Sequence, residues 1–322
     1  MRAPVLHHGV AVAVAAASLV SLASLASLAP GCLPGDARPV PESVYVTAEP
    51  SEAVAGGFDS ADGWRITFDR LLLGVGNVVL NSFYSDDTFQ SPPCNYYADA
   101  YYDRLFDFTV AGREKVGTVY GLGTCSVSFE LRQPSFRALL GPGVTASDAA
   151  AMRTSGSDRY AEDKHVSVVV VGSASRAGET KRFEWRFRRS YLITNCAIEG
   201  GGYATNVELT EAAASEMRLE VRGEELFRAL PDDGAEFQFQ PMADADADGD
   251  GLVTLDELSM APGPTVGSGQ IGSGGGSPGE GGGAPEEGMP LTMEALVYEL
   301  LLPRLLRVRG AGVCEAWNVV WG

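Results

Sequence analysis

Between Asp244 and Glu257 the chain reads DADADGDGLVTLDE, six carboxylates in fourteen residues, broken by Gly249 and Gly251. Like charges packed this closely repel, so such a run is either held apart by water or neutralised by a cation. The spacing favours the cation. Asp246, Asp248 and Asp250 alternate along the chain, and Gly251 follows where a sharp turn needs positive φ. Leu252 then offers its main-chain carbonyl, Thr254 its hydroxyl, and Glu257 a carboxylate able to bind with both oxygens. Hard oxygen donors at alternate positions of a tight loop converge on one hard cation, and Ca²⁺ takes six to eight such donors in irregular geometry.

This stretch, residues 246–257, resembles the calcium loop of an EF-hand, and as a single loop it resembles those of dockerins and other extracellular bacterial proteins. Asp246, Asp248, Asp250, Gly251, Leu252, Thr254 and Glu257 fall on the ligand and turn positions, with the apolar Val253 between the last ligands. The resemblance implies Ca²⁺ bound by Asp246, Asp248, Asp250, Leu252, Thr254 and Glu257. A calcium sensor normally pairs two loops, and the sequence holds one. Its entering helix is cut short by Pro241, and the leaving helix, TLDELSM, is brief. The expectation is therefore a structural staple. Extracellular calcium is near millimolar, so a Kd of roughly 10⁻⁴ to 10⁻³ M would suffice.

Other chemistry is sparse. The chain has three histidines, of which only His165 lies beyond the N-terminal region. That excludes a histidine-pair metal site within the main body and argues against catalysis needing two imidazoles. His165 reads as a strand-edge residue opening HVSVVVVG. The stretch GGSPG at 275–279 matches a nucleophile elbow only on paper, because it lies in low-complexity sequence. There is no P-loop, dinucleotide fingerprint, haem motif or Cys-x-x-Cys pair. The stretch from Cys94 to Phe108 carries Tyr96, Tyr97, Tyr101 and Tyr102. These suit either a sugar- or peptide-binding face or a disulfide-tethered loop packing its rings on the fold. No catalytic residue stands out, and a polysaccharide-cleaving enzyme using unidentified carboxylates is the competing class.

The address is easier to read. Arg2 precedes an uncharged apolar run from Val10 to Ala29, the pattern of an export signal over residues 1–31, or else of a retained anchor. It ends in LAPGC, which resembles a lipobox with Cys32 as the lipidated residue. Gly31 suits that motif, while Pro30 and the early Leu28 depart from it. Lipidation of Cys32 would leave four cysteines, an even number for an oxidising compartment. We expect Cys94–Cys125, closing a local loop, and Cys196–Cys314, tying down the C-terminus. Cleavage would leave 23 basic and 42 acidic residues, a charge of −19. A chain this acidic does not bind nucleic acid, and it meets a membrane through the lipid and not through its field. A protein or glycan partner is not legible.

The elements that must position the loop are mainly strands. After a tether at 32–42, residues 43–260 hold short β-branched and aromatic segments separated by turn residues. Trp64, Ile66 and Phe68 alternate with Arg65, Thr67 and Asp69, and Phe183, Trp185 and Phe187 with Arg182, Glu184 and Arg186. Two-faced strands of this kind predict a mainly β fold, an antiparallel β-sandwich with one EF-hand loop and a C-terminal helix. Helices are expected near 134–140, 147–153 and 224–230. The order WRITFDRLLLGVGNVVL, RLFDF, GTVYGLGTCSVSFEL, RFEWRFR, MRLEVRGEELF is similar to methanobactin-associated periplasmic β-sandwich lipoproteins over residues 60–230. Some of that family bind copper, but this chain lacks the histidines, so the resemblance implies the fold alone. Residues 261–288, rich in Gly, Ser and Pro, read as a flexible linker spanning on the order of 30 Å. Thr292 caps a following helix within 289–322, Pro303 ends it, and the tail with Cys314, Trp317 and Trp321 is expected to dock back on the strands.

Overall fold

The computed structural model describes residues 39–82, 94–154, 165–265 and 290–319. Cys32 and the export segment, most of the 261–288 stretch, and Trp321 lie outside the described residues. The chain opens with β1 (Glu42–Pro50), the short helix α1 (Glu52–Gly56), β2 (Phe58–Asp59) and the long β3 (Arg65–Ser82). Next come β4 (Asn95–Ala98), β5 (Ala100–Asp107) and a second long strand, β6 (Glu114–Leu131). β7 (Leu139–Leu140) and α2 (Ala146–Met152) lead to the hairpin of β8 (Val168–Arg176) and β9 (Glu179–Phe187). β10 (Tyr191–Thr194), β11 (Asn206–Leu209) and β12 (Ala214–Val221) follow, then a 3₁₀ turn at Gly223–Phe227. The acidic loop lies between α3 (Gln240–Ala243) and β13 (Leu252–Thr254), which runs into α4 (Leu255–Met260). β14 (Pro262–Thr265), β15 (Pro290–Thr292), α5 (Met293–Ala295), β16 (Leu306–Val308) and β17 (Glu315–Asn318) complete the chain.

The protein is mainly β, built on one large mixed sheet with the order β13-β9-β8-β3-β6-β1-β12-β16 along its main path. Most neighbours run antiparallel, but β1 pairs parallel with β12, β13 with β9, and β5 with β7. This corrects the expectation of a purely antiparallel arrangement. A parallel pair joins segments distant in the chain, and nothing in local alternation encodes it.

WRITFDRLLL and NVVLN form the single β3, whose first half pairs with β8 and second half with β5 and β6. The junction is a bulge at Gly76 and Asn77, where Asn77 takes φ 48°. A side chain at Gly76 would meet the Tyr102 carbonyl at 2.3 Å, so the close crossing of β5 requires glycine there. β6 likewise changes partners along its length, from β1 to β3 and β11.

The alternating faces pack as their residue types dictate. Trp64, Ile66, Phe183, Trp185 and Phe187 are fully buried. Phe227 and Phe239 join them, with ring centroids 5.3 Å for Phe183–Phe227 and 5.2 Å for Trp64–Phe239. Truncating one such ring costs about 3–5 kcal/mol.

Helical expectations fared unevenly. The 147–153 helix forms as α2 with a Thr145/Asp148 capping box. The 224–230 segment forms only the 3₁₀ turn. Residues 134–140 are not helical: Ser135 gives its N–H and hydroxyl to the buried Asp103 carboxylate at 2.7 Å each, which fixes a turn before β7. The C-terminal helix is short and irregular, α5 continuing through a π segment and a 3₁₀ turn as far as Arg304.

Cys94 is bonded to Cys125 and Cys196 to Cys314. Beyond Cys314, β17 pairs with β10, placing Trp317 opposite Leu192. The 261–288 stretch is not all linker. Pro262–Thr265 pairs antiparallel with Pro290–Thr292 in a separate two-stranded sheet.

Candidate metal centre

The acidic loop hangs from the aromatic core at both ends. At its entry, α3 is a single turn with Pro241 in the first turn, where a missing N–H costs nothing. Phe239 has no capping oxygen, and Asp62 supplies one from a distant turn. Its Oδ2 accepts from the Phe239 and Gln240 N–H groups at 2.9 and 2.7 Å. Trp64 Nε1 donates to Gln240 Oε1 at 3.2 Å. Met242 is buried beneath. A helix of one turn has no stability of its own, so these tertiary contacts hold it.

The loop closes on its own carboxylates. Asp246 accepts from the N–H of Gly249 at 2.9 Å and of Gly251 at 3.0 Å, one on each oxygen. Asp248 accepts from Asp250 N–H at 3.1 Å, and Asp250 from Leu252 N–H at 2.7 Å. Gly249 and Gly251 take φ 74° and 81°, which lets these N–H groups turn inward. One oxygen from each of Asp246, Asp248 and Asp250 lies within 4.8 Å of the others.

At its exit, the loop becomes part of the sheet. β13 lies parallel to β9, with Val253 opposite Phe183 and wholly buried. Arg182 N–H donates to the Gly251 carbonyl at 2.7 Å, and Trp185 Nε1 to the Val253 carbonyl at 3.1 Å. Carbonyls alternate along a strand, so the Leu252 carbonyl turns away from β9, to the side where its own N–H meets Asp250. β9 thus ties the exit of the loop to the sheet.

Thr254 and Glu257 are engaged with each other. Glu257 Oε2 accepts from Thr254 N–H at 2.8 Å and Thr254 Oγ1 at 2.9 Å, while Glu257 N–H donates to Thr254 Oγ1 at 3.3 Å. This reciprocal cap starts α4. The structure therefore gathers Asp246, Asp248, Asp250 and the Leu252 backbone, and leaves Thr254 and Glu257 at the helix cap.

One residue that loop spacing does not reveal sits in the centre. Lys181 Nζ, from β9, donates to Asp246 Oδ2 at 2.7 Å. This hydrogen bond, helped by those from Gly251 and Gly249, holds the Asp246 carboxyl below its usual range, and the pairing raises the Lys181 ammonium. The Asp246 side chain is covered, while Asp248 and Asp250 are exposed. Lys181 opens the segment KRFEWRFR, whose basic start was visible, but its register against a loop 65 residues on was not.

The donor set fits a hard divalent cation. Three carboxylates offer oxygens within 4.8 Å of one another, and oxygen is the donor such a cation takes. Asp246, Asp248, Asp250 and the Leu252 carbonyl would hold Ca²⁺ directly, and Glu257 would add its carboxylate by leaving the cap.

Other sequence candidates fall elsewhere. Tyr96, Tyr97 and Tyr101 are exposed on β4 and β5, and only Tyr102 packs against the core. His165 lies before β8, half-buried. Comparison with known proteins finds no matching family model, no similar curated protein and no similar solved structure.

Proposed function

We propose that this protein binds Ca²⁺ at the 246–257 loop and uses it as a structural staple, in an exported cell-envelope lipoprotein without catalytic activity of its own. The convergence of Asp246, Asp248 and Asp250 within 4.8 Å, on a loop anchored in the core at both ends, carries this reading. A cation there would neutralise three like charges and join α3 to the β13–α4 segment, both of which are too short to persist alone. The two disulfides support an oxidising compartment. Lipid attachment at Cys32 would hold the acidic body near a membrane that its charge does not favour. We also read the sheet as a sandwich. The partner exchange along β3 and β6 around a shared core supports two packed layers.

Calorimetric titration of the full chain with Ca²⁺ tests the binding. We expect one saturable site per chain with a Kd in the range of about 10⁻⁴ to 10⁻³ M. Glu257→Gln should weaken it about tenfold or more by removing a bidentate ligand. No saturable heat up to several times that range would refute the reading. Fractionation of the Cys32→Ser variant tests the anchor, with release from the membrane fraction expected.

A further inference from the structure

A second charged centre lies under the C-terminal segment, and its argument does not depend on the calcium loop. Glu225, on the 3₁₀ turn at Gly223–Phe227, is fully buried, and four guanidiniums surround it. Arg228 donates through Nε and Nη2, Arg307 through Nη2, Arg304 through Nε at 3.3 Å, and Arg222 lies with Nη2 at 3.3 Å. Two of the four have placed their other donors. Arg228 Nη1 holds the carbonyls of Asp233 and Ala235 at 2.9 and 2.7 Å. Arg304 holds the Pro231 carbonyl at 3.1 Å and the Asp233 carboxylate. These two clamp the 231–235 turn.

Arg222 and Arg307 are different. Arg222 gives Nε to Glu224 at 2.9 Å, and its Nη1 meets no acceptor among the described residues. Arg307 Nη1 stands 3.7 Å from Asp233, beyond hydrogen-bond reach, and its Nε has no partner although the residue is only 4% exposed. That Nε is closed to solvent, so the donors open to a ligand in the cleft are the Nη1 groups of Arg222 and Arg307. Both arginines line one open cleft of about 680 Å³, whose far wall is Ala197–Glu199 and Gly310–Val313. That wall is fixed in advance. Cys196–Cys314 lies behind it, Ala197 N–H donates to the Val313 carbonyl at 3.2 Å, and Gly312 N–H to the Ala197 carbonyl at 2.8 Å.

We propose that this cleft binds a small molecule through an oxyanion head group, a carboxylate or a phosphate, held by the unspent donors of Arg222 and Arg307. Guanidinium forks match such groups geometrically, and a preformed, partly buried pair holds them better than surface lysines do. Burial pushes the Arg307 guanidinium below its ordinary value despite Glu225 nearby, as expected of a cation short of partners. Glu199 and Asp233 also line the cleft, which disfavours a polyanion and suits a compact head group.

Titration of the full chain with succinate and, separately, with inorganic phosphate at constant ionic strength tests this. Saturable one-to-one binding of at least one probe is expected, with a Kd of about 1 mM or tighter. Which probe binds tells carboxylate from phosphate. Arg222→Gln, at a quarter-exposed position, should weaken binding about tenfold in a variant whose circular dichroism shows it folded, and Arg222→Lys should weaken it less. Arg307→Lys keeps the charge without the fork and should also cost about tenfold. Absence of saturable binding by both probes, or undiminished binding in folded Arg222→Gln, would overturn the proposal.

Discussion

The acidic loop and the arginine cluster are opposite solutions to crowding like charges. Around Asp246 three carboxylates share one ammonium, Lys181, and two of the three face solvent. Around Glu225 four guanidiniums share one wholly buried carboxylate. Water screens the first group, so it tolerates a missing counter-charge and can exchange cations. The second group is desolvated, so its central acid must be paired within the fold, and removing that acid leaves four cations without their shared counter-charge. A charged cluster at the surface is therefore suited to reversible binding, and one in the interior to holding the chain in a fixed arrangement. Arg222 and Arg307, at the edge of the buried cluster, are where the second type comes closest to the first.

The largest expected effect follows from removing the shared buried acid. Glu225→Gln should destabilise the protein by about 3–5 kcal/mol, read as a lower denaturation midpoint at unchanged m. It should also flatten the acid limb of the stability profile. Burial alone would raise the Glu225 carboxyl, but the Arg228 hydrogen bond and the Arg307 and Arg222 charges outweigh it and hold it below its usual value. A depressed carboxyl contributes stability that is present above the unfolded value, near pH 4.3, and is lost as pH falls through the folded value. Wild type should therefore lose this contribution below about pH 4, and Glu225→Gln should not. A variant with unchanged midpoint would show that the cluster is not held by its central acid.

Opening the second disulfide probes the same region through the chain. Cys196 and Cys314 are 118 residues apart, and the loop they close contains the acidic loop and the arginine cluster. The Cys196→Ser/Cys314→Ser double variant should lose about 2–5 kcal/mol. Its loss should show first as faster hydrogen exchange in β17, since β10 then holds that strand alone.

A smaller effect separates the two clusters most cleanly. Lys181→Met removes the only cation paired with Asp246 among the described residues, without touching the loop. It should raise Ca²⁺ affinity by a few-fold, because the metal no longer displaces an ammonium, while lowering metal-free stability by up to about 1 kcal/mol. The corresponding change in the buried cluster, loss of Arg228, should bring no gain of any kind, only destabilisation.

What was legible in the sequence was local. The alternation around Trp64 and Trp185 assigns buried faces because period two needs only neighbouring residues. Within LLLGVGNVVL, Gly76 and Asn77 form a bulge inside one strand, set by what crosses there, the Tyr102 backbone, which no local pattern specifies. The parallel partnership of β1 with β12 and of β13 with β9 has no local signature. The loop's twelve-residue pattern was visible in full, but TLDE also spells a helix capping box, and the same Thr254 and Glu257 serve both patterns. Lys181 and the arginine cluster stayed hidden because their members come from separate strands and turns.

The central claim is that calcium at the exposed cluster stabilises the fold, and thermal melting with and without the metal tests it most directly. At 1 mM Ca²⁺ and a Kd near 10⁻⁴ M, linkage stabilises the folded state by about 1.4 kcal/mol. The melting temperature should rise by about 2–4 °C in a protein of this size, relative to a chelator-treated sample. Asp246→Ala should abolish that rise. Equal melting temperatures with and without calcium in wild type, or an equal rise in Asp246→Ala, would contradict the account.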